Sequence, residues 1–521
     1  MDKVSNELRS MIVRFLPDQE DRNALVVAYP DWKATVQRED SLRTLSFDPT
    51  GENGEVLEEF LDLFDDQAIR RRQFLQKVKI DMALDVNDQG CCAAGHVIAG
   101  ESEYFSDAIR SLLEALNEIS ERLADETELP LTPMSLALID CQDYVGDNGP
   151  CSNDHEDEET RAAEIYRDVL TLTLPDDAVP EVKGVDRFSF CNRNVLLFLE
   201  PTFILPLVKR LVDLRVLDLE YNEEVQWTRE YKEDWSETIA KAVGEMPNTL
   251  PLEEFRLRLG RNSPRNEFLE PSRRSTASRA DRTTLMFRHL STFEALTVLW
   301  LSGQFCIPAA FFDTVASATT PFFPALTTFH LEMGPDTCDG DWFFIKDETE
   351  QAWEKAAEDP EWTNYVKFTA EGIFPADPAP DYEPTSDDEG YWPYMESRER
   401  EYDYLLREPV KRNRTLPNDA TMGPMLRGAA GAMARMAKIE TFSVCLGDIF
   451  DEDECKSPFV PPFITRTFAL RFVKKPEGKS GPTLTWELGQ KIDHWRPAED
   501  VLEAWKAAAG EESGLEVSFV E

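Results

Sequence analysis

One phrase constrains this chain more than any other, because it recurs nine times: an apolar residue, two residues of any kind, an apolar residue, one of any kind, and a third apolar residue. It reads "LRTLSF" at residue 42, "LQKVKI" at 75, "LTPMSL" at 131, "VDRFSF" at 185 and "LRVLDL" at 214. It returns as "LEEFRL" at 252, "LTVLWL" at 296, "LTTFHL" at 326 and "IETFSV" at 439. The second half of each copy alternates with period two, as a half-buried strand does. In an apolar chain some copies arise by accident, so the weight rests on what lies between them. "EVLEEFLDLFDD" precedes the copy at 75, "SDAIRSLLEALNEISERLADE" precedes 131, and "MLRGAAGAMARMAK" runs into 439. These segments carry helical periodicity, so strand and helix alternate and the expected class is α/β.

The starts of successive copies are unevenly spaced, with the longest interval between 326 and 439. Such spacing predicts an irregular αβ solenoid with loop insertions. At 214 the text continues "LRVLDLEYN", and Asn222 completes the L-x-x-L-x-L-x-x-N phrase of a leucine-rich repeat. The expected repeat-like regions are 46–335 and a C-terminal αβ segment, 421–521. Residues 260–284 form an Arg- and Ser-rich loop, and 336–420 an acidic insertion whose middle, "FPADPAPDYEPTSDDEGYWP", is expected to be disordered. Near the end, "TFALRFVKK" and "PTLTWEL" flank the turn-rich "PEGKSG" as a hairpin. "RPAEDVLEAWKAAAG" then reads as a helix, with Pro497 in its first turn and Gly510 stopping it, and "LEVSFV" as a last strand.

With 55 basic and 100 acidic residues the chain carries a formal charge of -45. That field repels phosphate backbones and anionic headgroups, so neither nucleic acid nor a membrane surface is an expected partner. No apolar run is long enough to span a bilayer, and "MDKVSNELRS" lacks the design of a signal peptide. Nine cysteines without a C-x-x-C pair read as reduced thiols, which predicts a cytoplasmic or nuclear protein.

A search for catalytic and cofactor motifs finds no phosphate loop, dinucleotide fingerprint, nucleophile elbow, zincin helix or EF-hand. The reading is therefore not an enzyme, with no catalytic, cofactor or metal residues. Among the five histidines no two share metal-ligand spacing. His330 falls in a strand phrase, where a solvent-facing or hydrogen-bonded ring is expected rather than a ligand. Arg273, Arg274 and Arg279 of the basic loop fit carboxylates or phosphates. They would either read an acidic or phosphorylated target or neutralise the acidic insertion within the chain. Ser386, followed by acids, and Thr276, preceded by arginines, are candidate phosphorylation sites.

The N-terminus, "VSNELRSMIVRFLPDQEDRNALVVAYPDWKA", places Leu8, Met11, Ile12, Phe15 and Leu16 on one helical stripe, breaks at Pro17, and continues through Val26 and Val27 to Trp32. This resembles an F-box. Together with the irregular repeat copies, the layout is similar to fungal F-box proteins with degenerate leucine-rich-repeat-like domains. The resemblance implies a three-helix domain over 1–45 whose Leu8, Ile12, Phe15, Leu16, Pro17, Val26, Val27 and Trp32 dock on the small S-phase kinase-associated adaptor and, through it, a cullin. The chain would then be the substrate-recognition subunit of a cullin-based E3 ubiquitin ligase, holding an unknown protein target while other subunits transfer ubiquitin. The alternative is a non-ligase scaffold in which the same helices only cap the first repeat.

Overall fold

The computed structural model describes residues 44–47, 75–81, 94–126, 131–139, 169–174, 179–191, 198–222, 229–260, 282–318, 322–346, 414–446, 468–476, 481–488, 495–510 and 514–520, together with Phe60, Phe64 and Arg72. The expected three-helix domain over 1–45 lies outside them except for Thr44 and Leu45. The protein is mixed α/β, its strands pair mostly in parallel, and the described residues include seven helices. No helix among them is long and apolar enough to cross a membrane. The chain divides into two compact units, residues 1–221 with 245–255, and 222–244 with 256–521.

In the first unit the elements run β1 (Thr44–Phe47), β2 (Lys77–Asp81), α1 (Ala94–Glu126), β3 (Met134–Ile139), β4 (Val169–Leu170), β5 (Val185–Cys191), β6 (Phe198–Leu199), α2 (Ile204–Arg210) and β7 (Val216–Asn222). The sheet order is β1-β2-β3-β5-β7, and each neighbouring pair is parallel. Helix α1 buries Phe105, Ile109, Leu112, Leu116, Ile119 and Leu123, a stripe at alternating steps of three and four. Short β4 and β6 pair with each other. A buried aromatic group of Phe190, Phe203 and Tyr221 closes the unit near α2, with ring centroids 4.7 and 5.1 Å apart.

The second unit contains α3 (Arg229–Gly244), most of β8 (Glu254–Gly260), α4 (Arg282–Leu290), β9 (Val298–Phe305), α5 (Phe311–Ala318), β10 (Thr328–Met333), β11 (Phe344–Lys346), β12 (Arg414–Pro417), α6 (Asp419–Arg435), β13 (Thr441–Leu446), β14 (Phe468–Val473), β15 (Thr483–Leu488), α7 (Glu499–Ala509) and β16 (Glu516–Val520). Its sheet runs β8-β9-β10-β13-β14-β15-β16. The pairs β9–β10, β10–β13 and β15–β16 are parallel, whereas β14 is antiparallel to both neighbours, and its pairing with β15 is the one the hairpin reading expects.

All nine copies of the phrase end in a strand, and the structure gives the phrase a physical meaning. Its first, fourth and sixth residues go to the core: Leu214, Leu217 and Leu219; Leu296, Leu299 and Leu301; Leu326, Phe329 and Leu331; Ile439, Phe442 and Val444. Its second residue supplies a carbonyl that the next copy uses. Arg215 N–H donates to the Asp186 carbonyl at 2.7 Å, and the amides of Glu253 and Glu254 both donate to the Arg215 carbonyl at 2.8 and 2.9 Å. The amides of Thr327 and Thr328 likewise share the Thr297 carbonyl, and those of Glu440 and Thr441 share the Thr327 carbonyl. In these copies one carbonyl marks where the following strand begins.

Parallel crossovers are right-handed, so connections that always step the same way across a sheet deliver their helices to one face. In the second unit β9, β10 and β13 succeed one another in this way through α5 and α6, and β15 passes to β16 through α7. The ring contacts agree. Phe287 of α4 lies 5.7 Å from Phe329, Phe312 of α5 lies 6.1 Å from it, and Trp505 of α7 lies 5.8 Å from Phe442. Phe329 and Phe442 stack at 4.6 Å between them. The opposite face of this sheet carries no helix among the described residues.

Residues 347–413 leave and return at one place, where β11 and β12 pair antiparallel. Asn418 then caps α6, accepting from the Ala420 amide, while its Nδ2 donates to the Trp342 carbonyl at 2.9 Å. Thr421 Oγ1 donates to the same carbonyl at 2.8 Å.

Candidate functional site

The residues nominated from sequence, namely Leu8, Ile12, Phe15, Leu16, Pro17, Val26, Val27 and Trp32, the arginines Arg273, Arg274 and Arg279, and the phosphorylation candidates Thr276 and Ser386, all lie outside the described residues. The chemistry within the described residues gathers on the helix-free face of the second sheet. Register builds it. His330 is paired with Trp300 on one side and Ser443 on the other, and Glu332 is paired with Cys445. Cys445 pairs with Ala469, which pairs with Glu487. Residues two apart on a strand share a face, so His330 and Glu332 project together beside Cys445.

His330 Nε2 lies 3.5 Å from Glu332 Oε1 and 4.0 Å from Cys445 Sγ. The side chains of His330 and Glu332 are 12% and 26% exposed, which leaves the group partly open. The Trp300 ring, 38% exposed, stacks on the His330 imidazole at 3.9 Å and 22°. The second carboxylate oxygen of Glu332 is also held, because the Gly303 amide donates to Oε2 at 2.5 Å.

That amide is aimed by a bulge. Leu331 faces Leu301, but Met333 faces Phe305, so Ser302, Gly303 and Gln304 of β9 are accommodated opposite Glu332 alone. Gly303 has φ +90°, and a Cβ there would lie 1.7 Å from the Leu259 carbonyl oxygen. Only glycine fits such a position. Burial pushes the Glu332 carboxyl up, but His330, the Gly303 amide and Arg258 outweigh it, and the group sits below the usual carboxylate range. Burial, followed by the Glu332 and Glu487 carboxylates, pushes the Cys445 thiol up to about 12.

These facts separate two chemistries. A nucleophilic cysteine needs a thiolate, a base on one imidazole nitrogen and an orienting carboxylate on the other. Here thiol and carboxylate approach the same nitrogen, and the thiol holds its proton. The geometry is that of three donors facing a common point, not of a relay.

In the first unit the helix-facing side of the sheet is equally apolar, and the other side is charged, with cations on β2 and β5 and the carboxylates Asp218 and Glu220 on neighbouring β7. Lys77 and Lys79 of β2 alternate with buried Val78 and Ile80, and Ser135 links Lys77 to Arg187 of β5 in register. Burial, with Lys79 and Arg187 adding repulsion, lowers the Lys77 pKa. Elsewhere in the unit Arg72 is buried; its Nη1 donates to the Thr132 carbonyl at 3.2 Å, and burial lowers its pKa to about 10.

Sequence reasoning placed His330 in a strand but missed its companions. The usable signal was the phrase itself. Counting from its first residue, Trp300, His330 and Ser443 all hold the fifth position of their copies, and Glu332 and Cys445 both hold the seventh. Gly303, a glycine inside a strand text, was a second sign, since such glycines mark bulges or close backbone approach. Compared with known proteins, the chain matches no family model and no curated protein.

Proposed function

We propose that this protein is the substrate-recognition subunit of a cullin-based E3 ubiquitin ligase. In this reading an F-box over residues 1–45 binds the S-phase kinase-associated adaptor, the strand phrases build an irregular leucine-rich-repeat-like αβ solenoid, and its helix-free side holds a target protein. The observation that carries the target-binding half is the contrast between charge and place. In a chain of charge -45, Lys77, Lys79 and Arg187 stand together on β2 and β5, on the sheet side away from the core, with Asp218 and Glu220 confined to the next strand. Clustered cations of this kind favour an acidic partner segment, and Arg273, Arg274 and Arg279 of the basic loop extend the same preference. Catalysis would then be proximity, the target being held near a charged conjugating enzyme.

The test is assembly from purified parts. At micromolar concentrations the full chain should co-elute with adaptor and cullin, and Leu8→Asp with Phe15→Asp should abolish that complex while leaving the chain folded. Failure of the wild type to bind the adaptor removes the ligase reading and leaves an interaction scaffold whose N-terminal helices are a cap.

A further inference from the structure

We propose that His330, Glu332 and Cys445 form a binding site for a divalent transition metal of the zinc type. One imidazole nitrogen, one carboxylate oxygen and one sulfur lie within 4.8 Å of one another, on adjacent strands. A tetrahedral zinc ion with bonds of about 2.0–2.3 Å sets its nitrogen and oxygen donors about 3.4 Å apart and its nitrogen and sulfur donors about 3.5 Å apart. The observed separations of 3.5 and 4.0 Å reach those values with side-chain movements of about half an ångström. The oxygen and sulfur donors, within 4.8 Å of each other, close to about 3.5 Å around the ion.

The donors are positioned by groups that do not themselves bind the ion. The Gly303 amide occupies Glu332 Oε2 and leaves Oε1 directed at the cluster. Trp300 stacks on His330 and restricts its ring. Such outer contacts orient ligands in metal sites. Charge also balances, since one carboxylate, one thiolate and a neutral imidazole together neutralise a divalent ion. Coordination releases the Cys445 thiol proton to solvent as the sulfur–metal bond forms. The mixed sulfur, nitrogen and oxygen set selects a borderline ion over magnesium or calcium, which take oxygen. Three protein donors leave a fourth position, and the partial exposure of His330 and Glu332 gives water access to it.

The experiment uses the full chain, stripped with a chelator and titrated with Co²⁺ under reducing conditions. One equivalent should give a near-ultraviolet thiolate-to-cobalt charge-transfer band that Zn²⁺ then displaces. Cys445→Ser should lose the band, and His330→Gln and Glu332→Gln should each weaken Co²⁺ binding at least tenfold. A Cys91→Ser, Cys92→Ser double variant should keep both band and affinity. A band that survives Cys445→Ser overturns the site, as does failure of the wild type to bind. If Cys445→Ser does not fold, the other two donors decide: Co²⁺ affinity within twofold of wild type in both His330→Gln and Glu332→Gln also overturns it.

Discussion

The two sides of β10 differ in what they repeat. Phe329, Leu331 and Met333 face the helices and match their counterparts in the other copies, Phe442, Val444 and Leu446 among them. His330 and Glu332 face the other way, and no other copy repeats that pair. In β2 the corresponding side carries Lys77 and Lys79, in β9 Trp300, and in β13 Ser443 and Cys445. The packing side is constrained by close contact with neighbouring residues and so keeps one chemistry. The other side is free of that constraint, and its residues differ from copy to copy.

The largest effect expected from this contrast lies between two aromatic residues on neighbouring strands. Phe329→Ala removes a ring stacked on Phe442 and wedged between α4 and α5, and should cost about 3–5 kcal/mol in a denaturant titration. Trp300→Ala, on the other side, should cost only about 1–2 kcal/mol despite its larger ring. Equal costs would break the distinction between the two sides.

Gly303→Ala tests whether the bulge belongs to the packing or to the cluster. The left-handed backbone alone should cost about 1–3 kcal/mol, and the clash with the Leu259 carbonyl adds to it. If only packing is at stake, Co²⁺ affinity will be unchanged in the folded fraction. If the amide positions Glu332, affinity will fall along with stability.

The smallest effect concerns the lysine pair of β2. The folded Lys77 pKa is depressed, so the unfolded chain binds more protons between the folded value and the unfolded value of about 10.4. Stability from this group therefore rises with pH across that window and is lost as pH falls through the folded pKa. Lys77→Gln should be slightly more stable than wild type at pH 7, and urea titrations should show the gap closing as pH approaches about 10.5. A constant gap would assign the effect to packing.

Much of the fold could be read from sequence because its information is local. A strand phrase, a helical stripe, the turn between β14 and β15 and the glycine after α7 each declare themselves within a dozen residues. Pro497 is a small exception, since the helix is capped at Ala498 and the proline precedes it. The cluster was not legible by spacing, because Cys445 is 115 residues from His330. What unites them is register, which a carbonyl shared between copies sets across the insertion. Aligning copies by position, not scanning for ligand motifs, is the reading that places a histidine, a glutamate and a cysteine side by side.

The β11–β12 clasp has a consequence for how such a chain can evolve. Lys346 and Arg414, which bound residues 347–413, are paired with each other in a short antiparallel stem. Lengthening a loop whose ends are already joined costs little, about 0.6 kcal/mol for each doubling. The stem is thus a splice point. Whole passages could be exchanged, expanded or lost there while α6, β13 and the residues they carry keep their places.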